Sequence, residues 1–208
     1  MEESCGSAFN VHGVSSRATI VIITGFSCTG KTTLAKRLAL TYSLPIFYKD
    51  RFKEMMFDTF DAEVIEQIGA YRFSQQLGRV CVECLKIVMD EAARANQSAI
   101  YESNFDRALF SPYLQDLQTR HPNMNIVQVL VYADAAARAD RFIEREKSDR
   151  HPGHRGMERL ALVQQGLANQ NDSRALEMLP GGTLVEFDTT DFNSVDWSPL
   201  YAALDSIN

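Results

Sequence analysis

The sequence predicts an α/β fold built on a parallel β-sheet with helices on both faces. Short apolar segments rich in β-branched residues alternate along the 208-residue chain with longer stretches of helical periodicity. The first of them, Thr19–Thr24, is a continuous run rich in β-branched residues without polar alternation, the pattern of a strand buried on both faces. It also runs straight into a glycine-containing turn and then a helix. Strand–helix–strand units of this kind cross over right-handedly.

Taken in order, Thr19–Thr24 is the first strand. Lys31 to Ser43 reads as a helix anchored by Leu34, Leu38 and Leu40, and Pro45–Tyr48 as a second strand. Arg51 to about Asn96 is mostly helical, with Gly69 and Gly78 as points of breakage or bending. Ser98–Tyr101 and Asn125–Tyr132 are the third and fourth strands. Asp134 suits the N-cap of a helix reaching about Lys147. A polar stretch, Ser148 to Gly156, carries Pro152 and Gly153. A helix over Met157–Leu179 is stopped by Pro180-Gly181-Gly182; Thr183–Phe187 is the fifth strand and Ser194–Ile207 a closing helix.

Residues 1–17 are small and polar and read as a flexible tail; residues 18–208 read as one domain. The tail has no apolar core of a secretory signal. No apolar run is long enough to span a bilayer. Four irregularly placed cysteines do not make a disulfide framework, so a reducing, cytoplasmic setting is expected. A net charge of -6 argues against non-specific nucleic-acid binding.

The chemistry begins at Gly25-Phe26-Ser27-Cys28-Thr29-Gly30-Lys31-Thr32, which fits G-x-x-x-x-G-K-[ST] without a mismatch, followed by Thr33. Glycines let a loop wrap closely round phosphates, whose charge meets backbone N–H groups and a helix N-terminus. Lys31 brings a cation to the β- and γ-phosphates, and Thr32 a hydroxyl for Mg²⁺. Neither an N-K-x-D guanine reader nor a D-x-x-G segment is present, so ATP is expected rather than GTP.

Three further groups belong with this loop. Asp50 follows the second strand, on the ligand-binding edge of an open sheet. It is placed either to accept a proton from an attacking hydroxyl or to cap the next helix. Lys53 stands near it as a substrate contact. Glu102 lands on the same edge after the third strand, to order water on Mg²⁺ or to bind substrate, while Asn104 either binds substrate or, like Ser103, caps a helix. Arg138, Arg141 and Arg145 share one helical face. They form either a solvated, salt-bridged surface or, with Arg150, His151 and His154, a lid over about residues 138–156 that contacts nucleotide and substrate. Within it, Arg141 and Arg145 are the arginines expected at the transferring phosphate and Arg138 at the nucleotide. The two histidines suit phosphate or substrate better than zinc, and Cys81-Val82-Glu83-Cys84 lacks a second pair to make a metal site.

With these residues in place, the chain resembles the adenylate-kinase-like P-loop small-molecule kinases. It is most similar to bacterial AAA-type ATP-binding kinases related to chloramphenicol phosphotransferases and zeta toxins. The resemblance is carried by Gly25–Thr33, Lys49–Glu54, Glu102–Phe105 and Arg150–His154, and extends from about Thr19 to the end. It implies a three-layer sandwich with strand order 2-3-1-4-5, an arginine-bearing lid, and an aspartate base after the second strand. It also implies adenine near Asp188–Asp191, with Thr189 as a contact. The function expected is transfer of the γ-phosphate of ATP to a hydroxyl of a small molecule. The alternative is a nucleotide-binding switch without a dedicated acceptor. A polynucleotide 5′-hydroxyl kinase is disfavoured by the net charge. The acceptor expected from these motifs is a neutral or cationic alcohol, because anions would meet Asp50 and Glu102.

Overall fold

The computed structural model describes residues 17–147, 151–154, 178–179 and 182–205. The 1–16 tail, Arg150 and the helix expected over Met157–Leu179, save its last two residues, lie outside the described residues. Five parallel strands form one sheet in the order β2-β3-β1-β4-β5: β1 (Thr19–Thr24), β2 (Ile46–Tyr48), β3 (Ala99–Glu102), β4 (Asn125–Tyr132) and β5 (Thr183–Asp188). The expected order is the observed one.

Every residue of β1 is buried, which explains its lack of polar alternation. Alternate side chains feed two cores. Ile20 and Ile22 pack with Leu85, Met89, Phe110 and Leu114 on one face. Val21 and Ile23 pack with Leu34, Leu38, Leu200 and Leu204 on the other. The helices are α1 (Lys31–Tyr42), α2 (Lys49–Thr59), α3 (Ala62–Ile68), α4 (Ala70–Arg94), α5 (Arg107–Arg120), α6 (Ala135–Lys147) and α7 (Ser198–Leu204). Along α4 the buried residues recur every fourth position, from Phe73 through Leu77, Cys81, Leu85 and Met89 to Ala93. Leu85, Met89 and Ala93 pack on the sheet, whereas Phe73 and Leu77 pack with Ile65, Met56 and Phe57 of α3 and α2.

The expected helical region after β2 divides where the backbone requires it. Gly69, at φ 83°, separates α3 from α4, whereas Gly78 lies inside α4 without breaking it. Asp134 is the expected cap, accepting from the Ala137 amide at 2.6 Å. Two other capping alternatives are not realised. Helix α2 starts at Lys49 with Tyr48 in the cap position, so Asp50 lies in the first turn with its carboxylate available for other work. Asp106, rather than Ser103 or Asn104, caps α5 through the Leu109 amide at 3.2 Å. The closing helix is shorter than expected, because it starts only where Pro199 sets the first turn.

Candidate active site

Parallel pairing brings the sequence motifs to one edge. In register, Tyr48 lies opposite Glu102 and Glu102 opposite Ile23. The chain therefore leaves β2, β3 and β1 side by side, and Asp50, Glu102 and the P-loop emerge together at the carboxyl ends of their strands.

The loop itself is shaped by left-handed backbone at Cys28 (φ 64°) and Gly30 (φ 85°). A Cβ on Gly25 would lie 2.1 Å from the Val131 carbonyl oxygen at the end of β4, a backbone atom that cannot move aside. A Cβ on Gly30 would lie 2.3 Å from the Phe192 ring. Lys31, the first residue of α1, donates to the Phe26 carbonyl at 2.7 Å. Burial draws its ammonium below the ordinary lysine value, against the opposing pull of Glu102 and Asp50. Thr32 donates its hydroxyl to Glu102 Oε2 at 3.0 Å. Glu102 is buried, and burial lifts its carboxyl above the usual value, with Lys31 opposing and Asp50 adding. Burial alone would raise Asp50 as well; there Lys49, His154, Lys31 and Lys53 reverse the effect and hold the carboxyl below its usual value.

The three arginines of α6 turn toward this loop. Arg138 is buried and donates to the Ser27 carbonyl at 3.3 Å, with its guanidinium 5.4 Å from the Phe26 ring centre. Arg141 donates to the Cys28 carbonyl at 3.5 Å and to the Thr189 and Thr190 carbonyls. Arg145 donates to the Ser27 hydroxyl at 3.3 Å. Thr189 is wholly buried, and its one hydroxyl proton lies between the Thr29 carbonyl at 2.6 Å and the Tyr132 carbonyl at 2.9 Å. Its hydroxyl thus ties the P-loop to the ends of β4 and β5. His151 and His154 meet acids of α2: Asp58 at 2.9 Å and Glu54 at 3.0 Å.

A cavity of about 500 Å³ opens between these parts. Of the residues expected from sequence, Ser27, Cys28, Gly30, Lys31, Thr32, Thr33, Asp50, Lys53, Glu102, Asn104, Arg141, Arg145 and His154 line it. His151 lines an adjoining cavity of about 320 Å³, whose wall shares Thr32, Asp50, Glu102, Arg145 and His154 with the first. Gly25, Phe26, Thr29, Arg138 and Thr189 line neither and shape the loop from behind.

Three lining residues had no site role in the sequence reading: Lys49 and Ser103, which lie inside the motif segments, and Phe192. Lys49 donates to Asn104 across the cavity, a pairing across 55 positions of chain that no local pattern signals. Phe192 covers Gly30 and lies 5.0 Å from the Arg141 guanidinium; its one signal was its place directly after the loop that follows β5. The Ser103 hydroxyl is buried at the wall without a hydrogen-bond partner among the described residues. Among the described residues no group of three or more His, Cys, Asp or Glu side chains could hold a metal on its own.

The donor set fits a magnesium-bound triphosphate. It combines a left-handed glycine loop at a helix N-terminus, one buried lysine, a hydroxyl beside a buried carboxylate, and an unpartnered hydroxyl at the wall. Fold and site together define a P-loop nucleotide-binding α/β protein.

Comparison with known proteins agrees. Residues 20–169 match the AAA domain family designated AAA_33, and the chain belongs to that family. An inferred kinase from Chloroflexus aurantiacus j-10-fl is similar in structure, with a TM-score of 0.71 and 31% identity over 92% of this chain and 99% of that one. A sugar kinase from Janibacter sp. HTCC2649 shares the fold (TM-score 0.53, 18% identity, 92% and 94% coverage). So does a gluconokinase from Sinorhizobium meliloti 1021 (TM-score 0.50, 16% identity, 92% of each chain). No curated protein sequence matches the chain. Among the described residues, no helix is long and apolar enough to cross a membrane.

Proposed function

We propose that this protein is an ATP-dependent phosphotransferase acting on a hydroxyl of a small molecule. The observation that carries the reading is the convergence of Asp50 with Lys31, Thr32 and Glu102 on one cavity beside the P-loop. A nucleotide switch needs the loop; it has no use for a low-pKa carboxylate at the junction of two cavities.

In this reading the P-loop amides and Lys31 hold the triphosphate, with Arg141 and Arg145 beside the transferring group. The Thr32 hydroxyl and, through water, Glu102 would hold Mg²⁺, which would supply charge neutralisation on the phosphates. Asp50 accepts the hydroxyl proton as the acceptor oxygen bonds to the γ-phosphorus. The bond from that phosphorus to the β–γ bridging oxygen breaks, ADP departs, and the proton passes from Asp50 to solvent. Such transfer is mostly positioning and charge stabilisation, which suits a site with one base and several cations. Of the lid, Arg138–Lys147 carries the arginines at the P-loop, and His151–His154 borders the acceptor side through its contacts with α2. Phe192, stacked against Arg141, borders the place for adenine, with Thr189 buried behind it. The resemblance to chloramphenicol phosphotransferases and zeta toxins rests on the same four motifs. Free thiols at Cys28, Cys81 and Cys84 suit the cytoplasmic setting expected from sequence.

The test is ADP release from Mg²⁺–ATP with and without a panel of small hydroxylated compounds, for the wild type and for Asp50→Asn. At least one compound is expected to raise ADP release well above the background hydrolysis of the wild type alone. Background rates across a broad panel, with ATP bound, would instead support the switch.

A further inference from the structure

The larger cavity contains the P-loop and, in the proposed reaction, the nucleotide. The adjoining cavity of about 320 Å³ shares Thr32, Asp50 and Glu102 with it, so Asp50 borders both spaces. Five residues line the second cavity and not the first: Lys36 of α1, Tyr48 at the end of β2, Arg51 and Glu54 of α2, and His151. None of them is aliphatic, so this wall gives an apolar molecule little to bury against. Lys36 and Arg51 only donate hydrogen bonds, the carboxylates of Asp50 and Glu54 only accept them, and the Tyr48 hydroxyl does both. Glu54 is partly engaged: Oε1 meets His154 Nε2 at 3.0 Å and Oε2 accepts from Arg51 at 3.4 Å. A carboxylate has about four lone-pair positions, so these two contacts leave it capacity to accept.

Resting on the proposed phosphotransferase function, we infer that the acceptor is an uncharged polyhydroxylated compound seated in the second cavity, with one hydroxyl at Asp50 and others on Tyr48, Arg51 and Glu54. A hydroxyl donates and accepts through one oxygen, so a chain of hydroxyls satisfies both kinds of lining group at once. A carboxylate in their place offers no donor to Glu54, and an ammonium offers no acceptor to Arg51 or Lys36. Either leaves a polar group of the wall unmatched once its water is displaced. The volume corresponds to roughly ten water-sized groups, room for a polyol of about four to six carbons. Of the neutral and cationic alcohols expected from the motifs, the lining therefore selects the neutral ones. In the reaction one acceptor hydroxyl gains the γ-phosphoryl group, its proton goes to Asp50, and ADP leaves.

The experiment uses linear polyols of about four, five and six carbons. Each is compared with the same chain bearing a terminal carboxylate, the same chain bearing a terminal amine, and a straight-chain primary alcohol of equal length. Binding is measured by calorimetry on the full chain holding Mg²⁺ and a non-hydrolysable ATP analogue, and turnover by ADP release. At least one polyol should bind roughly 5- to 100-fold more tightly than its three counterparts, the worth of one buried polar group left unmatched. Tyr48→Phe and Glu54→Gln, which alter residues outside the nucleotide cavity, should each weaken that polyol roughly 2- to 10-fold. Affinity for the ATP analogue should stay within about twofold in both. No binding of any polyol, equal or tighter binding of a charged or monohydroxy counterpart, or polyol affinity untouched in both variants would each overturn the inference. Because binding is read apart from turnover, polyol preference without ADP release would count against the phosphotransferase reading alone.

Discussion

Replacing Thr189 by valine keeps the shape of a wholly buried side chain and removes its hydroxyl. That hydroxyl shares its one proton between the Thr29 carbonyl at 2.6 Å and the Tyr132 carbonyl at 2.9 Å, the shorter contact being to Thr29, and lies 3.4 Å from an Arg141 nitrogen. The Tyr132 carbonyl keeps the Thr189 amide at 2.8 Å, so the loss falls mainly on Thr29, inside the P-loop. A lost hydrogen bond costs about 0.5–1.5 kcal/mol, and a buried carbonyl left without a partner roughly 1–3 kcal/mol. A total of about 2 kcal/mol is expected, which lowers Tm by roughly 4–8 °C in a chain of this size. The Thr29 peptide is also released, so ATP affinity should fall together with stability. Thr119, whose exposed hydroxyl bonds only within its own helix, is the control: Thr119→Val should stay within about 0.5 kcal/mol. Scanning calorimetry and ATP titration read both effects. Unchanged Tm and affinity in Thr189→Val would refute the idea that this hydroxyl holds the P-loop to the sheet.

Three other substitutions probe separate parts. Lys31→Ala should fold normally and weaken ATP binding at least about tenfold, read by calorimetry. Gln128→Leu strands the Met178 and Leu179 amides and the Leu179 carbonyl, each bonded at 2.8–2.9 Å; a loss of about 3 kcal/mol or more in chemical denaturation is expected. The third concerns pH. Asp50 must be ionised to accept a proton, and its carboxyl is held below the usual value, so its own ionisation should appear in kcat/KM as a limb below the ordinary carboxylate range, beneath the step that Glu102, raised by burial, contributes at higher pH. Lys53→Met removes one of the cations responsible, so its acid limb should move to higher pH; an unmoved limb would assign the ionisation to another group.

The fold was legible because its signals are local. Strands buried on both faces look alike in sequence, as Thr19–Thr24 and Asn125–Tyr132 do, and the phosphate loop is a contiguous motif between a strand and a helix. Asp50 and Glu102 were legible at one remove, since a parallel sheet carries the residue after each strand to the same edge. The spacing of Arg138, Arg141 and Arg145 told that they share a face, but not that the face turns to the P-loop. What remained hidden depends on contacts far apart in the chain. The Lys49–Asn104 pairing, Phe192 over Gly30 and the histidine contacts with α2 join segments whose meeting is settled by packing. The cap of α2 was also ambiguous, because an aspartate one residue inside a helix looks in sequence much like one at its cap.

The central claim is transfer rather than hydrolysis, and the fate of the γ-phosphoryl group tests it most directly. With γ-labelled ATP, Mg²⁺ and the hydroxylated panel, the wild type should place the label in a phosphomonoester of one acceptor, identified by mass spectrometry. Asp50→Asn should bind ATP normally and form that ester about 10²- to 10⁴-fold more slowly, the usual worth of a positioned base. Label appearing only as inorganic phosphate with every acceptor, or ester formed by Asp50→Asn at the wild-type rate, would contradict the account.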